Sequence, residues 1–191
     1  MAQQTEDRRV RKTKKQLRNA LTSLLLEKEI GRITVRDVAD LADVNRGTFY
    51  AHYSDVYDLL HQLESSFLER LDEVGNRHDA HDVDGKTFPY LEDLFALAGE
   101  YSDIFYTLYC RSGDMGFQEK VFSKLKHQFL FEFLSLRGVG DPNRLDYCAS
   151  FIVAGMCTLA KVWIENGMIQ SSEEMARLGG DFVLHGVNML Q

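Results

Sequence analysis

The chain has 191 residues, 45% of them apolar and 27% charged, so it can bury a substantial core and fits one ordinary domain or a small domain fused to a larger one. No run approaches the roughly 18 uninterrupted apolar residues of a membrane span, and no signal-type apolar run follows the basic N-terminus MAQQTEDRRVRKTKKQ, which reads as a cytoplasmic protein with no membrane partner. The net charge of −7 is uneven: residues 1–53 hold 11 Lys/Arg against 7 Asp/Glu, and residues 54–191 hold 11 against 22, a basic end on an acidic body, as expected where one end meets a polyanion.

Apolar residues recur at three- and four-residue steps almost throughout, strict alternation is rare, and the only prolines are Pro89 and Pro142. This period predicts an all-α fold. The first helix is predicted from about Arg8 to Lys28, with Leu17, Ala20, Leu21, Leu24 and Leu25 as its buried stripe and a string of cations in its first turns. Gly31 breaks it. Thr34 with Asp37 three residues on is a capping pair for a short helix whose apolar face is Val35, Val38, Ala39 and Leu41 and which ends near Ala42. Asn45 caps another short helix, Arg46 to about His52. Ser54 and Asp55 cap a longer one lined by Val56, Leu59, Leu60, Leu63, Phe67 and Leu71. Residues 75–87 are polar and glycine-flanked and read as a linker. Pro89 then opens a helix through Cys110, and another spans about Gly116 to Leu136. Asp141-Pro142 is a cap and first-turn proline for a helix to about Asn166. Ser171 and Glu174 form a capping box for the last, which runs to Leu190.

Two short helices joined by a tight turn, with a third behind them, describe a helix-turn-helix, a unit that sets its second helix into a DNA groove. Ala39 is small where two helices must cross, Val44 can plug the core from the turn, and Phe49 can anchor the second short helix. Its other face offers Asn45, Arg46, Thr48 and Tyr50, side chains that hydrogen-bond base edges and phosphates. Phe49 and Tyr50 read equally as core, and Arg46 as a solvated charge.

The stretch ITVRDVADLADVNRGTFYAHYSD resembles the N-terminal signature of the TetR (tetracycline-repressor) family, above all TFYAHY followed by a capped helix. The resemblance covers about residues 8–72; beyond them only helix number and order are similar. It implies an all-α homodimer with a DNA-binding N-terminal three-helix domain, a C-terminal helical dimerisation and ligand-binding domain, and double-stranded DNA as partner. It also implies roles. Thr34 and Arg36 would meet phosphate; Asn45, Arg46 and Thr48 would face the major groove; Tyr50 and His52 would clamp backbone phosphate. Tyr53 would close the small core and touch phosphate, and Ser54 would present helix N-terminal amides to a phosphate. Arg8, Arg9, Arg11 and Lys12 would supply diffuse charge or an arm near the minor groove. The chain departs from the family twice. Asp43 stands where the turn usually has glycine, which asks for a positive φ, and Val56 stands where the next helix usually starts with a phosphate-binding lysine. The resulting division is residues 1–53 for DNA binding, 54–74 as connecting helix, 75–87 as linker loop and 88–191 for dimerisation and effector sensing.

The segment Asp141 to Asn166 is apolar on most of its circumference, and such a helix must be covered all round. With Gly155, Gly179, Gly180 and Gly186 nearby, which favour close backbone approach, the last two helices read as each subunit's half of a dimer interface. The aromatics between Phe95 and Phe129 are, as stripes of this kind go, more often core than ligand lining. The resemblance nonetheless implies a small hydrophobic or aromatic effector, with Phe105, Tyr109, Phe129 and Trp163 as its lining. Cys110, Cys148 and Cys157 all lie in apolar segments without metal spacing and read as reduced core thiols. His78, Asp79, His81, Asp82 and Asp84 are metal-donor types, but an Asp-rich loop is ordinarily just solvated; no metal or cofactor is expected. No phosphate loop, nucleophile elbow or HExxH pattern is present, so no enzyme is predicted. The rival reading is a co-regulator of the same fold controlled by a protein partner.

Overall fold

The computed structural model describes residues 8–78, 89–111, 115–137 and 142–185, and every regular element among them is helical. Helix α1, Arg8–Leu25, buries the expected stripe, Leu17 and Leu21 completely. It stops three residues short of the predicted end. A 3₁₀ turn, Ile30–Arg32, follows instead; it swings the chain so that Ile33 is buried and Thr34 can start the next helix.

Helix α2, Val35–Leu41, carries a complete capping box: the Thr34 hydroxyl accepts from the Asp37 amide at 3.2 Å, and the Thr34 amide donates to Asp37 Oδ2 at 2.9 Å. Val38 and Ala39 are fully buried. Leu41, expected on the apolar face, is 54% exposed, because Ala42, one turn after Val38, takes the inward position. The helix ends in a Schellman arrangement, Val44 N donating to Ala39 O and Asp43 N to Asp40 O, with Asp43 at φ 53. The positive φ anticipated for Asp43 is therefore present. Helix α3, Arg46–Tyr50, is five residues long and hangs on Phe49, which has no exposed surface.

Helix α4, Val56–Gly75, buries Val56, Leu59, Leu63, Phe67, Leu71 and Val74. One continuous core runs along it, from Leu17 of α1 to residues of the last helices. Its far end is tied down by ions: Lys124 Nζ donates to Asp72 at 2.6 Å, and Arg77 and His78 both reach Asp93, at 3.3 and 3.0 Å. The remainder of the His/Asp cluster noted in the linker lies outside the described residues.

The predicted helix from Pro89 through Cys110 is not continuous. Helix α5, Pro89–Glu100, breaks at Tyr101, and α6, Ser102–Ile104, runs on as a π-helical stretch, Phe105–Arg111. The break has a packing reason: Tyr101 and Phe105 both seat on Phe67 of α4, at ring separations of 5.9 and 6.2 Å. Helices α7, Met115–Arg137, α8, Pro142–Glu165, and α9, Ser172–His185, complete the body. The Ser171–Glu174 capping box forms as read, with bonds of 2.8 and 3.1 Å; the predicted extension to Leu190 lies beyond the described residues. Helices α8 and α9 pack closely, since a Cβ on Gly179 would meet Met156 Cε at 2.8 Å, whereas one on Gly155 would meet nothing.

Helix α8 is only partly covered. Tyr147 and Phe151 are 75% and 81% exposed, and of its Asp146–Glu165 stretch, long and apolar enough to cross a membrane by composition, 28% is buried within the chain. Counting uninterrupted apolar residues passes over such a helix. Cys148 lies on this side and is exposed, correcting its reading as a core thiol; Cys157 is buried as expected. The Cys110 side chain lies outside the described ones.

An L-residue with positive φ carries a steric penalty that glycine escapes. Asp43→Gly should therefore raise stability by roughly 0.5–1 kcal/mol, read as a higher urea midpoint at unchanged slope.

Candidate nucleic-acid interface and effector cleft

Helix α3 is too short to persist alone, so its outward face depends on its anchors. Asn45 Oδ1 accepts from the Thr48 amide at 2.7 Å and from the Thr48 hydroxyl at 3.1 Å. The Asn45 carbonyl oxygen and the Thr48 hydroxyl hydrogen are thus used up in the cap; what Asn45 presents outward is its side-chain NH₂. Gly47 leaves room for this cap, since a Cβ there would lie 3.2 Å from Asn45 Oδ1. Arg46 is exposed and makes no ion pair among the described residues. Tyr50 is 58% exposed, its ring edge-on to Phe49 at 5.7 Å. His52 is half-buried beside Tyr53. The structure thus brings Asn45, Arg46, Thr48 and Tyr50 to one short helix.

The flanking residues fare differently. Thr34 is exposed, but its hydroxyl and amide are both engaged by Asp37. That carboxyl is held below its usual pKa by the Thr34 amide first, then by the Thr34 hydroxyl, with a smaller contribution from Lys28. Arg36 is exposed and pairs with Asp40 at 3.4 Å, a contact weak enough in water to exchange for another anion. Tyr53 closes the core as read, at 2% exposure, but its hydroxyl is buried without a partner, so the phosphate contact expected of it is not available in this arrangement. The amides at the start of α4 already have partners. The Ser54 amide donates to Asp58 Oδ2 and the Asp58 amide to Asp55 Oδ1, both at 2.8 Å, so two carboxylates already occupy the start of α4. The Asp58 carboxyl is lowered in pKa chiefly by that Ser54 bond. Val56, where a lysine was looked for, is buried.

In the C-terminal half, a cleft of about 270 Å³ lies between the π-helical stretch and α8, lined by Tyr109, Ala154, Cys157, Thr158 and Lys161. Of the expected lining residues, Tyr109 lines this cleft. Phe105 is buried behind it, the two rings stacked at 4.9 Å. Trp163 belongs elsewhere: its ring packs on Phe95 and its Nε1 donates to Gln170 O at 3.0 Å, closing the α8–α9 turn. The Phe129 side chain lies outside the described ones. Sequence reading missed Cys157, Thr158 and Lys161; the signal was their spacing, which with Ala154 puts all four on one flank of α8.

Residues 85–183 match a TetR family model described as "Transcriptional regulator C-terminal region". Among solved structures the chain is similar to a TetR transcriptional regulator from Streptococcus agalactiae, with 27% identity over 93% of this chain and 96% of that one and a TM-score of 0.60. It shares its fold with the fatty acid degradation regulator FadR from Bacillus halodurans (12% identity, 92% and 96% covered, TM-score 0.65). It does so too with FadR from Bacillus subtilis in complex with stearoyl-CoA (14%, 91% and 98%, TM-score 0.60). No curated protein matches the chain.

The double duty of Asn45 can be separated. Asn45→Ala should cost about 1 kcal/mol of stability through loss of the cap, whereas Asn45→Asp, an equally good cap, should stay within about 0.5 kcal/mol of wild type. Chemical denaturation of the two variants checks this.

Proposed function

The chain belongs to the TetR family of transcriptional regulators, and from that footing we propose that it is a repressor that binds a palindromic operator as a homodimer and is released by a small-molecule effector. The observation that carries the DNA reading is the pairing of Arg46, exposed and without an ion pair among the described residues, with the 58% exposed Tyr50 on the outer side of a helix whose inner side is sealed by Phe49. Arg46 and the Asn45 NH₂ supply donors for base edges; Tyr50, His52 and Arg36 supply phosphate contacts. Thr34, Thr48, Tyr53 and Ser54 act mainly by holding the unit in shape. Residues 1–53 form the DNA-binding part, 54–74 the connecting helix, and the part after the 75–87 loop pairs the subunits.

The apolar side of α8 supports the homodimer. Tyr147, Phe151 and Val162 are exposed along it, and Phe182 of α9 is 43% exposed. Apolar surface of this extent on a folded chain marks an interface. A two-fold pairing through it would set two α3 helices toward successive major-groove turns, roughly 34 Å apart.

Two measurements test these readings. Titrated against duplex DNA flanking its own gene, wild type should bind with an affinity that falls steeply as salt rises, because phosphate contacts release counterions. Arg46→Ala should weaken binding by about 1–3 kcal/mol, roughly fivefold or more; equal, weak binding by both proteins at low salt contradicts the DNA assignment. In sedimentation at micromolar concentration wild type should run as a dimer and Phe151→Glu as a monomer with unchanged helicity. A monomeric wild type rules out the α8 pairing.

A further inference from the structure

The cleft beside Tyr109 has a chemistry of its own. Its floor is neutral: Cys157 is buried, and that burial pushes its thiol pKa up to about 11, so it stays protonated at ordinary pH and shares a hydrogen bond with Tyr109. Thr158 donates its hydroxyl proton to Ala154 O at 2.9 Å, which leaves the oxygen as an acceptor. Tyr109 contributes a ring backed flat by Phe105, with the two planes 9° apart. Among the described lining residues the one charged group is Lys161, whose ion pair with Glu165, at 4.0 Å on the same helix, is long and exposed enough to be given up. A flat apolar wall with a single ammonium beside it matches a planar anion.

The position of the cleft matters as much. Ala154 and Thr158 are exposed and belong to the same stripe of α8 as Phe151 and Gly155, the side that the dimer reading covers. A second copy laid on that stripe borders the cleft directly. Behind the cleft, Phe105 touches Phe67 of α4, and Phe67 is also in ring contact with Tyr101 and Phe117. A displacement of Tyr109 therefore reaches, through one ring, the helix that joins the body to α3.

We propose that this cleft binds a small aromatic carboxylate, held by Lys161 against the Tyr109 ring, and that it is complete only when the second copy of the chain closes its open side. The inference rests on the dimeric, effector-controlled reading and adds to it the ligand's charge and the partner's share in the site.

The test uses full-length protein without DNA, with 2-naphthoate as probe and 2-naphthamide as its uncharged counterpart, followed by calorimetry. Wild type should take up one naphthoate per subunit and bind naphthamide at least tenfold more weakly. Lys161→Met, which keeps the apolar stem, should bind the two alike. Phe151→Glu, folded by circular dichroism but monomeric, should lose naphthoate binding, and naphthoate should raise the dimer fraction of dilute wild type in sedimentation. The proposal is overturned if wild type binds neither compound, if Lys161→Met keeps the preference for naphthoate, or if the monomer binds as tightly as the dimer. DNA binding assayed in parallel separates the two levels. Failure of the ligand arms with DNA binding and dimerisation intact sinks the cleft alone; absence of operator binding or of a dimer sinks the reading beneath it.

Discussion

A five-residue helix cannot hold its shape in water, because one turn of hydrogen bonds does not offset the backbone entropy it fixes. That α3 exists depends on a single burial: Phe49, sealed at 0% exposure under α2 and in ring contact with Tyr53. The Schellman turn at Ala42–Val44 and the Asn45 cap then set the angle at which α3 leaves α2. With Phe49 inward, Arg46 and Tyr50 stand exposed on the same short helix. Everything proposed about DNA is downstream of that one ring.

The second dependence is α4. A core shared along its whole length makes the small N-terminal unit and the C-terminal body one mechanical object rather than two beads on a string. Phe67 sits where three aromatic neighbours, Tyr101 at the α5–α6 break, Phe105 of the π-helical stretch and Phe117 of α7, converge, and the far end is pinned through Asp72, Arg77 and His78. A helix held so firmly by the body can turn only if the body repacks, which is the property a sensing domain needs in order to move a reading head.

Much of this was legible before any coordinates. Caps are local chemistry, so Thr34–Asp37, Asn45 and Ser171–Glu174 could be named from spacing, as could the stripe of α1 and the strained Asp43. Choices decided by tertiary competition were not legible. Leu41 lost the inward position to Ala42, and Trp163, which the family resemblance offers as a ligand wall, packs on Phe95 and bonds the Gln170 carbonyl. The helix predicted through Cys110 broke at Tyr101 because two rings had to meet Phe67, a demand made by a helix some thirty-five residues away. Polar groups that spend themselves locally, such as the Thr48 hydroxyl and the Ser54 backbone amide, read as ligand contacts for the same reason that they serve in caps.

The carboxylates of Asp55 and Asp58 at the start of α4 have a consequence for how the protein would search DNA. A regulator that grips every phosphate within reach spends most of its time on random sequence, since backbone attraction is blind to bases. Here one edge of the reading unit is capped by acids and backed by buried Val56, so in the proposed docking that edge would offer negative charge where a phosphate comes near. Such a head would hold non-operator DNA more loosely than one with a cation at that edge and would rely more on the contacts of α3 to stay. Discrimination then comes less from a tight grip on the right site than from a short residence on all the wrong ones.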